Sequence, residues 1–249
     1  MKYLFFFSLF VSHLTVFSQI VNIENKRLTD NKQGFSGSAE LNFNFTMNTV
    51  QLLQIGDKVQ LGYVKKKHQF LIVTDHSFVK SEGDNFVNKG FQHFRYNYVF
   101  KDSGNVSFEA FQQGQFNKIQ KINLRLLAGV GLRLNLVNEE KYQLSIGSGM
   151  MGEYEELLDV GSSTDVLSTS YLSFDGQFNE TVGINTIAYY QPKLIDYGNY
   201  RFSSETALRF KINEYLSFLL IYSLTHDSRN IADVRKTNYV LKNTLRVSF

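Results

Sequence analysis

The final eleven residues, Tyr239 to Phe249, constrain the fold more than any other stretch. Odd positions hold Tyr239, Leu241, Leu245, Val247 and Phe249, with Asn243 the polar exception. Even positions hold Lys242, Thr244, Arg246 and Ser248, with Val240 the apolar exception. Successive side chains of a β-strand point to opposite faces, so this period of two describes a strand with one apolar and one polar face. The strand ends on a bare phenylalanine. In an open sheet it would form an exposed edge with an unprotected aromatic, which natural sheets avoid. A sheet closed on itself has no such edge.

This stretch resembles the C-terminal signature strand of bacterial outer-membrane β-barrels. The resemblance implies that Tyr239, Leu241, Leu245, Val247 and Phe249 form a signal read by the barrel-insertion machinery. At the other end, Met1 and Lys2 precede an apolar run from Tyr3 to Phe17 that closes on the small residue Ser18. A positive flank, an apolar core and a small residue make up a secretory signal peptide, expected to be cut between Ser18 and Gln19. The run is shorter than the roughly 20 apolar residues of a membrane-spanning helix. Residues 19–36 read as a short polar periplasmic lead and residues 37–249 as one barrel domain.

Aromatic residues make up 15% of the chain, with 23 Phe and 14 Tyr, and there is a single proline. Such a composition suits an all-β protein with aromatics on an outer face and at both membrane interfaces. No later stretch is long and apolar enough for a membrane helix. With no cysteine, disulfides and lipoprotein-type lipid attachment are excluded. Loss of Lys2 with the signal leaves 25 basic against 23 acidic side chains, so charge gives no reason to expect a nucleic-acid partner.

From Gly37 onward, period-two segments follow one another without a helical pattern. In the clearest, every even residue from Ile122 to Leu136 is apolar. That exceeds the usual 5–6 residue strand of a sandwich and suffices for a tilted transmembrane strand of about 9–11 residues. Ala39, Leu41 and Phe43 alternate with Glu40 and Asn42; Phe94, Tyr96 and Tyr98 with Arg95 and Asn97; Leu208 and Phe210 with Arg209 and Lys211. Segments 50–64 and 69–80 alternate poorly. Alternation alone fits either a soluble sandwich or a barrel with apolar side chains toward lipid. Strand length, the signal peptide and the terminal phenylalanine select an antiparallel transmembrane β-barrel of about twelve strands. Short turns such as Lys65-Lys66-Lys67 and Asn138-Glu139-Glu140 alternate with longer breaks at 81–89, 114–121, 157–166, 192–199 and 227–236. This predicts both termini on the periplasmic side and longer loops outside.

The second half of the chain carries a closer resemblance, on Tyr189-Tyr190-Gln191-Pro192, Tyr200-Arg201-Phe202-Ser203-Ser204-Glu205, Phe210-Lys211-Ile212, His226-Asp227-Ser228-Arg229 and Leu241-Lys242-Asn243. On these segments the sequence is similar to the DUF481 family of Gram-negative outer-membrane proteins, in particular its Bacteroidota-type members. Some members are called salt-induced outer-membrane proteins. The resemblance implies a fold and a place in the cell outer membrane. The family has no accepted catalytic motif, so no active residue carries over.

The parity predicts a charged lumen lined by Glu40, Lys58, Arg95, Glu109, Arg125, Arg133, Glu153, Glu155, Arg201, Glu205, Arg209, Lys211 and Arg246. Unpaired buried charge is costly, so these side chains are expected to pair across the interior. Arg201, Glu205 and Arg209 in particular are expected to project inward and pair with neighbouring strands. The alternative is a narrow path that favours anions. His68, His76, His93 and His226 lack metal-site spacing, and no metal or other cofactor is expected. Gly129, Gly131, Gly147, Gly149 and Gly152 lie inside strand patterns and not in a phosphate-binding loop. Asp159, Asp165, Asp196, Asp227 and Asp233 fall in or beside outer loops, where divalent cations shared with lipopolysaccharide are the alternative to plain solvation. Ser223 with His226, and Ser228 nearby, raise a lipid hydrolase, but no local motif fixes a nucleophile against a base. The reading is a monomeric barrel in contact with outer-membrane lipid and lipopolysaccharide, not an enzyme, with a structural or envelope-stress role. A narrow small-solute pore ranks second and a lipid hydrolase third.

Overall fold

The computed structural model describes residues 33–47, 51–81, 86–100, 105–229 and 235–249. The signal peptide, its Ser18-Gln19 junction and most of the polar lead lie outside these residues. The chain forms β1 (Gly34–Met47), β2 (Gln51–Lys65), β3 (His68–Ser81), β4 (Phe86–Val99), β5 (Val106–Asn117), β6 (Ile122–Asn138), β7 (Tyr142–Leu157), β8 (Gly161–Gln177), β9 (Val182–Lys193), β10 (Asp196–Lys211), β11 (Leu216–Asp227) and β12 (Thr237–Ser248). Each strand pairs antiparallel with its sequence neighbours, and β1 pairs with β12 to close the barrel. β1 begins at Gly34, so the last three residues read as periplasmic lead belong to the first strand.

Closure puts one face of every strand inside, and the burial pattern follows the sequence parity. In β12, Asn238, Lys242 and Thr244 are buried, while Tyr239, Leu241, Leu245, Val247 and Phe249 are exposed on the outer wall. In β6 the buried residues include Arg125, Leu127 and Arg133, and Leu126, Val130, Leu132 and Leu134 face out. A wall of exposed apolar residues with polar ones inside is what a hydrocarbon surrounding requires. In the segments poor in alternation, residues 51–64 and 69–80 are fully paired, each with a partner strand on both sides.

The seam is held by more than its ladder. Gly37 and Phe249 exchange both backbone hydrogen bonds, each at 3.0 Å. The Phe249 ring lies against Gly37, where a β-carbon would come within 2.6 Å of it. The terminal aromatic thus covers the space beside Gly37 that a side chain would otherwise take.

Turns are local. Lys66 adopts φ 54° in the two-residue turn between β2 and β3. Asn179 Oδ1 accepts from the amides of Thr181 (2.9 Å) and Val182 (2.8 Å), and Asn213 Oδ1 from those of Tyr215 and Leu216, the usual way an Asx side chain closes a turn. The single proline, Pro192, sits beside the irregularity between Asp196 and Tyr200, where the ladder is interrupted and a missing donor costs least.

The predicted contrast between short turns and long outer loops holds only at the β11–β12 connection, 228–236. The breaks at 157–166 and 192–199 are tight turns at 158–160 and 194–195, with β8 starting at Gly161 and β10 at Asp196. A 3-10 turn at Lys118–Gln120 likewise shortens the break at 114–121. Ser162, Ser163 and Thr164 stay paired with Glu156, Glu155 and Tyr154 in the β7–β8 ladder, so polar residues do not end the strand there.

Gly149 faces inward where β6 and β7 approach closely, and a β-carbon there would meet the Val130 carbonyl oxygen at 2.2 Å. Gly149→Val is therefore expected to lower the unfolding free energy by about 1–3 kcal/mol. Gly152→Val, whose β-carbon meets nothing within 4 Å, should change it by less than about 0.5 kcal/mol. Urea unfolding of the vesicle-inserted protein checks both.

Candidate functional site in the barrel interior

Inside the barrel, charged residues brought in by the strand parity meet in two groups. At the seam, Glu40 of β1 accepts from Lys58 of β2 at 3.4 Å and from Arg246 of β12 at 2.7 Å. This ion pair crosses the β1–β12 closure, so it ties the first strand to the last. Thr244 adds a hydrogen bond to Asn42 across the same seam.

The second group spans the lumen. Arg125 of β6 donates through Nε to Glu155 Oε1 at 2.7 Å and lies 3.8 Å from Glu153, both on β7. Glu153 is also held by Arg201 of β10, three strands further round the barrel. Glu155 is held by Arg229, which follows β11 and reaches back into the interior while pairing with Asp227 at 2.7 Å. Burial opposes the charge on Arg229, but hydrogen bonds to Asp227 and Glu155 outweigh it and hold the guanidinium above its ordinary pKa. Three arginines and three carboxylates thus form one connected set. Each carboxylate has a cationic partner, which a water-poor interior demands.

Hydrogen bonds to neutral side chains complete the crossing. Tyr171 of β8 donates to Glu109 of β5 at 2.7 Å. Arg133 donates to Ser145 Oγ at 2.8 Å and Asn135 Oδ1 at 2.9 Å, with its guanidinium 5.9 Å from the Tyr171 ring centre. Gln191 of β9 donates to Thr169 Oγ1 at 3.3 Å. What remains between these side chains is a cavity of about 50 Å³ lined by Arg95, Glu109, Arg125, Leu127, Tyr171 and Arg201 among others. That is room for a few water molecules.

Of the remaining residues expected in the lumen, Glu205 is buried and accepts from Ser223 Oγ at 3.0 Å, Arg209 donates to Gln177, and Lys211 is exposed at the end of β10. Glu205 alone of the trio Arg201, Glu205 and Arg209 has its described partner on an adjacent strand. Arg201 reaches β7 and Arg209 reaches β8, because side chains on the concave inside of a small barrel converge. Arg229 was missed by the strand-based reading, since it lies past the end of β11. Its only signal was its nearness to Asp227.

Ser223 faces in toward Glu205, whereas His226, three residues on, faces out, stacks near Tyr200 and bonds Thr237 Oγ1 at 2.8 Å. The two cannot form a nucleophile and base pair. Ser228 Oγ accepts from the Tyr200 amide at 2.8 Å. His93 is buried between the rings of Phe91 and Phe111, with Nδ1 3.3 Å from Gln113. His68 bonds Tyr96 at 2.8 Å, and His76 faces out opposite Asp57. Asp165 pairs with Lys193 at 2.7 Å, Asp227 with Arg229, and Asp196 caps the Gly198 amide; Asp233 lies outside the described residues. Among those residues no cluster of His, Asp and Glu has the makings of a metal site.

Arg201→Ala would leave Glu153 with only the more distant Arg125, so the barrel should lose about 3–5 kcal/mol of stability. The double change Arg201→Met with Glu153→Leu should cost less than Arg201→Ala alone, as read from urea midpoints.

Solved structures share this architecture. The COG4313 outer membrane channel from Pseudomonas putida F1 superposes with a TM-score of 0.53 at 10% identity, over 88% of this chain and 96% of that one. The NanC porin superposes with a TM-score of 0.50 at 9% identity, over 86% and 98%. At such identities the likeness is one of fold. No curated protein matches the sequence. The sequence pattern described as "Protein of unknown function, DUF481" matches residues 54–249, from the first third of β2 to the terminal phenylalanine, and the chain belongs to that family.

Proposed function

We propose that this protein is an integral barrel of the bacterial outer membrane with a structural or envelope-stress role, and that its lumen is sealed to solutes. One observation carries the reading: the Arg125, Glu153, Glu155, Arg201 and Arg229 network crosses the lumen from β6 and β7 to β10 and beyond β11, and the cavity lined by Arg125 and Arg201 measures about 50 Å³. A solute larger than water would have to break several charge pairs to pass. In this reading both termini face the periplasm, β12 is the strand read by the insertion machinery, and the outer wall contacts lipid and lipopolysaccharide. Neither a catalytic role nor a nucleic-acid partner is part of it.

A second reading, a narrow solute pore, draws on the fold shared with a channel and a porin and on the position of Arg229. That residue enters the lumen from the connection between β11 and β12, at the mouth opposite the chain ends. Withdrawal of one side chain would therefore remove part of the seal.

Purified protein in a planar bilayer is expected to show no discrete conductance steps, while Arg229→Ala combined with Arg201→Ala should produce them. Steps from the unaltered protein would favour the pore. Phospholipid hydrolysis by the same sample, lost in His226→Ala, would contradict the non-enzymatic reading.

A further inference from the structure

The outer wall is not uniformly apolar. Along β6 the outward residues run Leu124, Leu126, Ala128, Val130, Leu132 and Leu134. On later strands, outward hydroxyls bond one another, Ser148 with Ser170 at 3.2 Å and Thr186 with Thr206. A sector of β2 to β5 departs from both patterns. Asp57, Thr74, His76, Gln92 and Gln112 all face outward there, on adjoining strands, with Asp57 opposite His76 and Thr74 opposite Gln92. The Asp57 and His76 side chains are about half exposed, at 49% and 50%, and His76 Nδ1 stands 3.6 Å from Asp57 Oδ2. That separation is too long for a hydrogen bond, though it is within ion-pair range when the ring is protonated. Gln92 and Gln112 are exposed, and their carboxamides have no hydrogen bond among the described residues. Around the patch stand Ile55, Val59, Ile72, Phe78 and Phe116, all exposed and apolar.

Given the reading of this wall as lipid-facing, such a patch is out of place. Hydrocarbon offers a carboxylate or carboxamide no partner, so polar side chains in that phase find one on another protein. The patch carries donors and acceptors together: the Asp57 carboxylate accepts, the His76 ring can donate, and both glutamines do either. A surface with both halves of the pairing is complementary to itself, which is the condition for a two-fold contact between identical subunits. Ala110 and Gly114 on β5 keep the wall low beside the glutamines, so two backbones can approach. The apolar surround would shield the polar contacts at the centre.

We propose that the β2 to β5 face is a dimer interface within the membrane, occupied by a second copy of this chain. Asp57 of one copy meets the donors His76 and Gln92 of the other, and the glutamines pair across the two-fold axis. In this proposal the protein is a pair in lipid, where the sequence alone led to the expectation of a monomer.

The absence of cysteine makes the test direct. Thr74→Cys places a thiol in the patch, and Leu208→Cys places one on the outward face of β10, on the far side of the barrel. Each variant is inserted into phosphatidylcholine vesicles at low protein-to-lipid ratio and oxidised with copper phenanthroline. Thr74→Cys should give a disulfide-linked dimer at least several-fold above Leu208→Cys. Adding Asp57→Leu and Gln92→Leu to Thr74→Cys should reduce it several-fold. Heat-modifiable gel mobility shows that each barrel is folded, and flotation shows that it is in the vesicles. A folded, floating Thr74→Cys protein that stays monomeric, or crosslinks no more than Leu208→Cys, would overturn the proposal. Failure to float would instead overturn the membrane reading beneath it, and a dimer that conducts would overturn only the sealed lumen.

Discussion

A strand surrounded by hydrocarbon has no water to bond its backbone, so a sheet there must leave no edge. The hydrogen bonds between β1 and β12 meet that demand, and the rest of the structure follows from it. The seam is where the chain invests the most varied contacts: the Gly37 and Phe249 backbone pair, the ring of Phe249 over Gly37, the Thr244 to Asn42 bond and the pairing of Glu40 with Lys58 and Arg246. The other ladders join strands already linked by a turn. This one joins residues about two hundred positions apart and is stabilised by side chains from both strands and from β2.

Closure also creates the interior, and the interior sets its own constraint. Buried charges that parity directs inward are costly unless paired, so they must find each other. The arginines and carboxylates of β6, β7 and β10, joined by Arg229, do so across the lumen. The network that satisfies these charges is the same one that fills the space through which a solute would move. In the proposed reading a sealed interior follows from this charge pairing, and opening it would require separating those pairs.

Much of this was legible in the sequence, for a physical reason. The period of two in β6 and β12 encodes which face each residue takes, and the face decides between the outer wall and the lumen. Arg125, Glu153 and Arg201 could therefore be placed inside from position alone. Their partners could not, because these depend on strand register and on how far the barrel curves. Arg201 meets a carboxylate three strands away, and no local pattern specifies that distance. The loops were misjudged because polarity was read as the end of a strand. Around Leu157 the sequence turns polar, while the backbone ladder between β7 and β8 runs to the Leu157 and Gly161 pair. Arg229 lay outside every strand pattern, and the outward Asp57 and His76 were hidden in the segments where alternation is weakest.

The central claim is the partition itself: a mainly apolar outer wall toward acyl chains, with the charged side chains of the network toward the interior. Spin labels attached at single introduced cysteines from Leu241 to Leu245, in vesicle-inserted protein, test it most directly. The account predicts that labels at Leu241, Asn243 and Leu245 collide freely with oxygen dissolved in the bilayer, while those at Lys242 and Thr244 are shielded. Equal accessibility along the stretch, or the opposite alternation, would contradict it.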